Sequence, residues 1–231
     1  MAKKEFSKQT APSKEKPFPY QDQQTPAVRA SVFSGRSFTL IKLILGICLL
    51  PFVYGYTFSF LNELYLIDKL SQKIFWAGLV AFLIVYLFIW EPANIYLKGQ
   101  RILQLVFNFF SPLVKVAPFL LPIYTIIIFI LYATISFRFQ SPAITNITLF
   151  LAGFSVGLHL IFSAKSMRTK QKDFLKANYI FGFPLIYLIN LTILAFCFSL
   201  VFRTFSFATF INTAFQSGIN IFSSIIKQLF F

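Results

Sequence analysis

The chain is predicted to be an all-α, polytopic helical membrane protein, and three observations predict it. Stretches 38–60, 74–90, 113–137, 143–164 and 180–201 are long and apolar, and a hydrocarbon core about 30 Å thick takes about 20 such helical residues to cross. Charged residues are only 12% of the chain, against about 25% in a soluble domain, too few to cover a globule in water. The mean hydropathy of +0.73 points the same way. About five transmembrane helices with amphipathic or re-entrant helices beside them are expected.

Residues 1–37 read as a disordered basic tail, because Pro12, Pro17, Pro19 and Pro26 interrupt any helix and Lys, Gln and Ser dominate. A cleavable signal peptide is not expected, since the first apolar run begins late and has full spanning length. The first span carries Lys42, which can snorkel to the headgroups, and Pro51, which should kink it. Segment 62–73 reads as a loop with Glu63, Asp68, Lys69 and Lys73 in balance. Trp76 and Trp90 near the ends of the second span match an aromatic belt. A helix can restart at Pro92.

Segment 93–110 is the least ordinary. Asn94, Lys98, Arg101, Gln104 and Asn108 recur at spacings of three and four, a polar stripe on an otherwise apolar helix. Such a helix either lies in the membrane interface or stands in the bundle with its stripe inward. The third span contains Pro118 and Pro122 just after Pro112, so it should begin broken. The fourth contains Gly153 and Gly157, small residues whose spacing lets a neighbouring backbone approach. The fifth has Pro184 in its first turn and Asn190 and Thr192 at mid-span, placed to hydrogen-bond across helices. Segment 204–231 is amphipathic with almost no charge, and is expected to lie in the interface or pack on the bundle. The domain organisation is thus a tail 1–37, a bundle 38–203 with helix 93–110 beside it, and a C-terminal helix 204–231.

The net charge of +14 does not imply nucleic acid, because of where it lies. One basic cluster precedes the first span. A second, Lys165, Arg168, Lys170, Lys172 and Lys176, occupies one short loop. Such clusters set topology by the positive-inside rule and attract anionic headgroups at about 1 kcal/mol per charge. They place the N-terminus in the cytoplasm and suggest a bacterial inner membrane. The expected partners are membrane lipids, through anionic headgroups at these clusters, and other membrane subunits or a second copy of the chain.

Candidate chemistry is sparse. The seven acidic residues are scattered, none in the middle of a span, which disfavours carboxylate proton relays and paired-carboxylate catalysis. Cys48 and Cys197 sit in apolar runs without a metal-knuckle pattern. His159 is the sole histidine; without a second one a metal site lacks ligands, and an interhelical hydrogen bond is the favoured role. No catalytic residue, metal or cofactor is expected.

The string Ile95-Tyr96-Leu97-Lys98-Gly99-Gln100-Arg101-Ile102-Leu103-Gln104 resembles the active helix of integral membrane zinc metallopeptidases of the site-2 protease type, which carry HExxH after a similar lead-in. Gln100 and Gln104 stand where the two zinc-binding histidines would be, and Arg101 stands where the general-base Glu would be. Arginine cannot act as a base at neutral pH. The resemblance therefore implies a scaffold without zinc or peptidase activity, a pseudoenzyme. Three functions are weighed: a non-catalytic membrane subunit, scaffold or pseudo-peptidase acting through helix–helix contacts; a small-solute, anion or lipid transporter or channel component with Lys98, Arg101 and Gln104 along its path; and an intramembrane enzyme, which the lack of a His/Asp/Glu/Ser constellation disfavours.

Overall fold

The computed structural model describes residues 27–109, 117–139, 141–169 and 177–230, and all regular structure among them is helical. The helices are α1 (Ala27–Tyr65), α2 (Lys69–Ile84), α3 (Ala93–Val106), α4 (Ile123–Ser136), α5 (Pro142–Thr169), α6 (Ala177–Val201) and α7 (Phe207–Phe230). The packing described below lies within the compact unit that starts at Ser37. Residues 27–37, expected in the tail, belong to α1: beyond Pro26 no proline stops the helix from extending back out of the span. The rest of the expected tail lies outside the described residues.

Four helical stretches are long and apolar enough to cross a membrane: Ser37–Tyr65, Lys69–Ile89, Pro142–Met167 and Tyr179–Val201. The expected third span, 113–137, differs. Its described part is a helical turn at 117–120, a break at Leu121 and Pro122, and then α4. The 14 residues of α4 extend about 21 Å at 1.5 Å per residue, short of the hydrocarbon thickness. The cause is Pro122, which has no N–H to continue the ladder.

The loop expected at 62–73 shrinks to 66–68, because helices close in from both sides. Asp68 caps α2 by accepting the Ser71 N–H at 2.9 Å. The far end of α2 widens into a π-helical turn, Val85–Ile89, and Trp90 is extended. Pro51 lies inside α1, which stays helical through it.

Contacts between neighbours fix the direction of each helix. Thr57 meets Tyr187 at 2.8 Å and Gly46 lies against Ile180, so α1 and α6 run parallel. Thr125 meets Ser155 and Tyr132 meets Thr145, so α4 and α5 are antiparallel. Helices α1, α4 and α6 therefore run from a proximal end, near Ser37, Ile123 and Tyr179, to a distal end. Helices α2, α5 and α7 run back. The parallel pair α2 and α5 crosses on glycines. A Cβ on Gly78 would strike the Phe150 carbonyl oxygen, and one on Gly153 would strike that of Phe75. Gly157 makes room for the Phe82 ring, 2.7 Å from where its Cβ would stand. The Gly153–Gly157 face is thus occupied inside the chain.

The distal core forms around Phe198, which is fully buried. Its ring meets Phe75 at 5.2 Å and 81°, and Phe205 at 5.8 Å and 82°, the edge-to-face arrangement aromatic pairs prefer. Phe60 and Phe129 complete it. A smaller proximal core joins Phe82, Tyr96, Leu158 and Phe162.

Helix α7, expected in the interface or on the bundle, lies antiparallel along α1. Ser59 donates to the Phe210 carbonyl at 2.8 Å, and a Cβ on Gly55 would stand 2.6 Å from the Ala214 carbonyl oxygen. Its start is held by Glu63. This carboxylate is buried in the last turns of α1 and accepts the Ser206 N–H at 2.8 Å, where a negative charge suits a helix N-terminus.

Candidate functional site

The break at Pro122 releases backbone carbonyls in the interior, and the sequence supplies donors for them. In an unbroken helix the Phe119 carbonyl would accept the Ile123 N–H, which here bonds Leu121 at 3.0 Å instead. A buried carbonyl without a donor costs about 1–3 kcal/mol. His159 Nε2 lies 3.1 Å from the Phe119 oxygen and Ser163 Oγ donates to it at 3.3 Å. Because its partner is a carbonyl oxygen, His159 Nε2 carries the proton. The next carbonyl, Leu120, accepts from Asn190 Nδ2 at 3.1 Å. His159 and Asn190, read from sequence as separate intramembrane contacts, thus meet on consecutive carbonyls of one broken segment.

The network continues into α3. Ser163 lies 3.0 Å from the Tyr96 hydroxyl. Burial pushes the Tyr96 phenol above its ordinary range, against the lowering effect of its Ser163 and Gln100 neighbours; with the Ser163 hydroxyl hydrogen on the Phe119 oxygen, Tyr96 is the donor to Ser163. The Gln100 amide lies next to Tyr96, and its Nε2 is buried with no hydrogen-bond partner. The Asn190 Oδ1 is also buried and unpartnered. Helix α3 is seated by Gly99, where a Cβ would stand 2.7 Å from the Tyr124 ring, and by the Tyr124 hydroxyl donating to the Ile95 carbonyl at 2.5 Å. These contacts of α3 fall on the last turns of α5 and the first residues of α4, so α3 lies across the proximal end of the bundle.

Its stripe faces away from the bundle. Tyr96, Gly99 and Leu103 form the buried face, while Asn94, Lys98, Arg101, Gln104 and Asn108 are exposed. The inward-stripe alternative is therefore corrected: with the small Gly99 and the apolar Leu103 opposite, the close-packing face is the other one. Of the positions aligned with the peptidase motif, Gln100 turns inward, and Arg101 and Gln104 turn out. Three cavities of about 450, 340 and 190 Å³ have none of Lys98, Arg101 and Gln104 in their walls. Among the described residues no group of three or more His, Cys, Asp or Glu side chains could hold a metal ion.

Of the basic loop, Lys165 forms an ion pair with Glu91, tying the end of α5 to the start of α3. Arg168 lies in the last turn of α5. Lys170, Lys172 and Lys176 lie outside the described residues.

The sequence reading missed Ser155 and Ser163, which with His159 repeat every four residues on α5 and form its inward polar face. Their four-residue period overlaps the Gly153–Gly157 spacing on the same helix. Glu63 was missed because it was read as a loop charge.

Comparison with the models of known protein families, with curated proteins and with solved structures found no match to this chain.

Proposed function

We propose that the protein is a non-catalytic integral membrane subunit or scaffold that works by helix–helix contact with another membrane-embedded chain. The observation that carries this reading is the outward face of α7. The 24 residues of α7 extend about 36 Å, and its first half lies beside the apolar span of α1. Yet Thr209, Asn212, Thr213, Gln216, Asn220 and Ser223 are all exposed. Thr209 bonds Ser206 and Gln216 bonds Asn220 inside the helix; each amide or hydroxyl group left over costs several kcal/mol in hydrocarbon, and a protein neighbour supplies its partner. The interior donors His159, Ser163 and Asn190, by contrast, serve the chain's own broken helix.

The orientation follows from charge. Lys42, Lys98, Arg101, Lys165, Arg168 and Lys227 belong to the proximal half of the bundle, so that end faces the cytoplasm by the positive-inside rule, with anionic headgroups as its lipid contacts. The membrane is read as a bacterial inner membrane. The test is purification of the full chain from its native membrane in mild detergent, with native mass spectrometry. The expected result is an assembly heavier than the 26.6 kDa chain. A lone monomer, with lipid-borne quenchers reaching probes at Gln216, overturns the reading.

A further inference from the structure

We propose that the partner of the α7 face is α7 of a second copy of this chain, in a parallel, two-fold symmetric contact. The proposal rests on the reading of α7 as a membrane-embedded contact face and names its occupant.

Depth comes first. Gly55 faces Ala214 and Gly218, and Phe52 faces Gly218 and stacks obliquely on Phe215 at 5.8 Å. Ser59 meets Phe210. Each pair lies inside the span Ser37–Tyr65, so the first half of α7 sits at hydrocarbon depth. Carried on in the same antiparallel register, Lys227 comes level with Lys42, which marks the proximal interface. The stripe from Thr209 to Ser223 then lies between the two membrane surfaces, where water cannot satisfy it.

Chemistry then selects the occupant. Copies inserted in one membrane share one orientation, so a two-fold axis between them runs along the membrane normal. Each residue near that axis meets its own counterpart. Like meeting like is repulsive for charges, and that disqualifies the α3 stripe with Lys98 and Arg101. For amides and hydroxyls it is attractive, because each carries both a donor and an acceptor. Gln216 donates to Asn220 Oδ1 at 3.2 Å within α7, which leaves the Gln216 carbonyl oxygen and the Asn220 amide hydrogens for the partner. Phe215, Ile219 and Phe222 are exposed along one flank of the stripe and close the contact against lipid. A buried Asn pair that fixes alignment in coiled coils is the soluble counterpart of this arrangement.

The experiment adds one cysteine, Gln216→Cys or Asn220→Cys, to the full chain carrying Cys48→Ala, whose remaining Cys197 is buried, and oxidises native membranes, with the Cys48→Ala parent as control. The expected product is a disulfide-linked species of twice 26.6 kDa, absent from the parent. In the purified chain, Gln216→Leu with Asn220→Leu weakens dimerisation by about tenfold or more. Gln216→Asn, which keeps an amide, retains most of it. Both positions are exposed, so the fold tolerates the changes. A crosslinked product of another mass overturns the second-copy proposal but leaves the helix-contact reading intact. No product, with both cysteines accessible to lipid-soluble reagents, overturns both.

Discussion

Replacing His159 by Phe and Ser163 by Ala, singly and together, measures how the broken helix is held. Two side-chain donors share the Phe119 carbonyl, His159 Nε2 at 3.1 Å and Ser163 Oγ at 3.3 Å. Losing one leaves the other, so each single change removes only one net hydrogen bond, about 1 kcal/mol. Losing both takes away the two side-chain donors that share this oxygen, so the changes are coupled and the double variant exceeds the sum of the singles by about 1 kcal/mol. The cycle is run with Tyr96→Phe, since Ser163→Ala would otherwise strand the Tyr96 hydroxyl. The Leu120 carbonyl gives the internal comparison. Asn190 is the donor shown for it, and Asn190→Leu also removes the unpartnered Oδ1. Its expected net cost is about 1–2 kcal/mol, already present in the single variant. The assay is equilibrium unfolding in SDS-containing mixed micelles, followed by the fluorescence of Trp76 and Trp90. Additivity of His159→Phe and Ser163→Ala within about 0.5 kcal/mol refutes the shared carbonyl.

Three further outcomes follow from the packing. Gly153→Ala is more damaging than Gly157→Ala, by about 1 kcal/mol or more, because its Cβ strikes the Phe75 backbone and the other strikes the Phe82 ring; thermal unfolding of the purified variants gives the order. Glu63→Leu takes the acceptor from the Ser206 N–H and lowers stability by about 1–2 kcal/mol, with hydrogen exchange rising first at the start of α7. Lys98→Gln with Arg101→Gln changes unfolding by less than about 0.5 kcal/mol, since both side chains are exposed. The same double variant weakens preference for anionic over neutral lipid nanodiscs by about 1 kcal/mol per charge removed, and an unchanged preference excludes α3 from the headgroup contact.

The four long apolar helices were legible because hydrocarbon demands length and hydropathy together, and both are local properties of the sequence. The proline break was legible too, since Pro118 and Pro122 announce missing N–H groups. What could not be read was which donors answer it. His159, Ser163 and Asn190 lie 40, 44 and 70 residues from the carbonyls they serve, and only packing decides that all three arrive there. The loop reading of 62–73 failed for a related reason: a charged residue was taken as a sign of solvent, and Glu63 is buried because the N-terminus of α7, 143 residues away, provides its partner.

The two polar stripes show where sequence periodicity stops being informative. Both α3 and α7 repeat polar residues at helical spacing, and periodicity alone treats them as equivalent. Their surroundings separate them. Helix α3 lies across the proximal end, where Lys98 and Arg101 can reach headgroups and water, so its outward stripe needs no protein partner. Helix α7 runs alongside α1, where no such relief exists, and its outward residues are uncharged. Charge is affordable only at the membrane surface, whereas neutral amides at depth are stable only when something pairs with them. On the reading proposed above, the composition of each stripe matches its depth, and it is the neutral stripe, the less conspicuous of the two in the sequence, that would face a second protein surface.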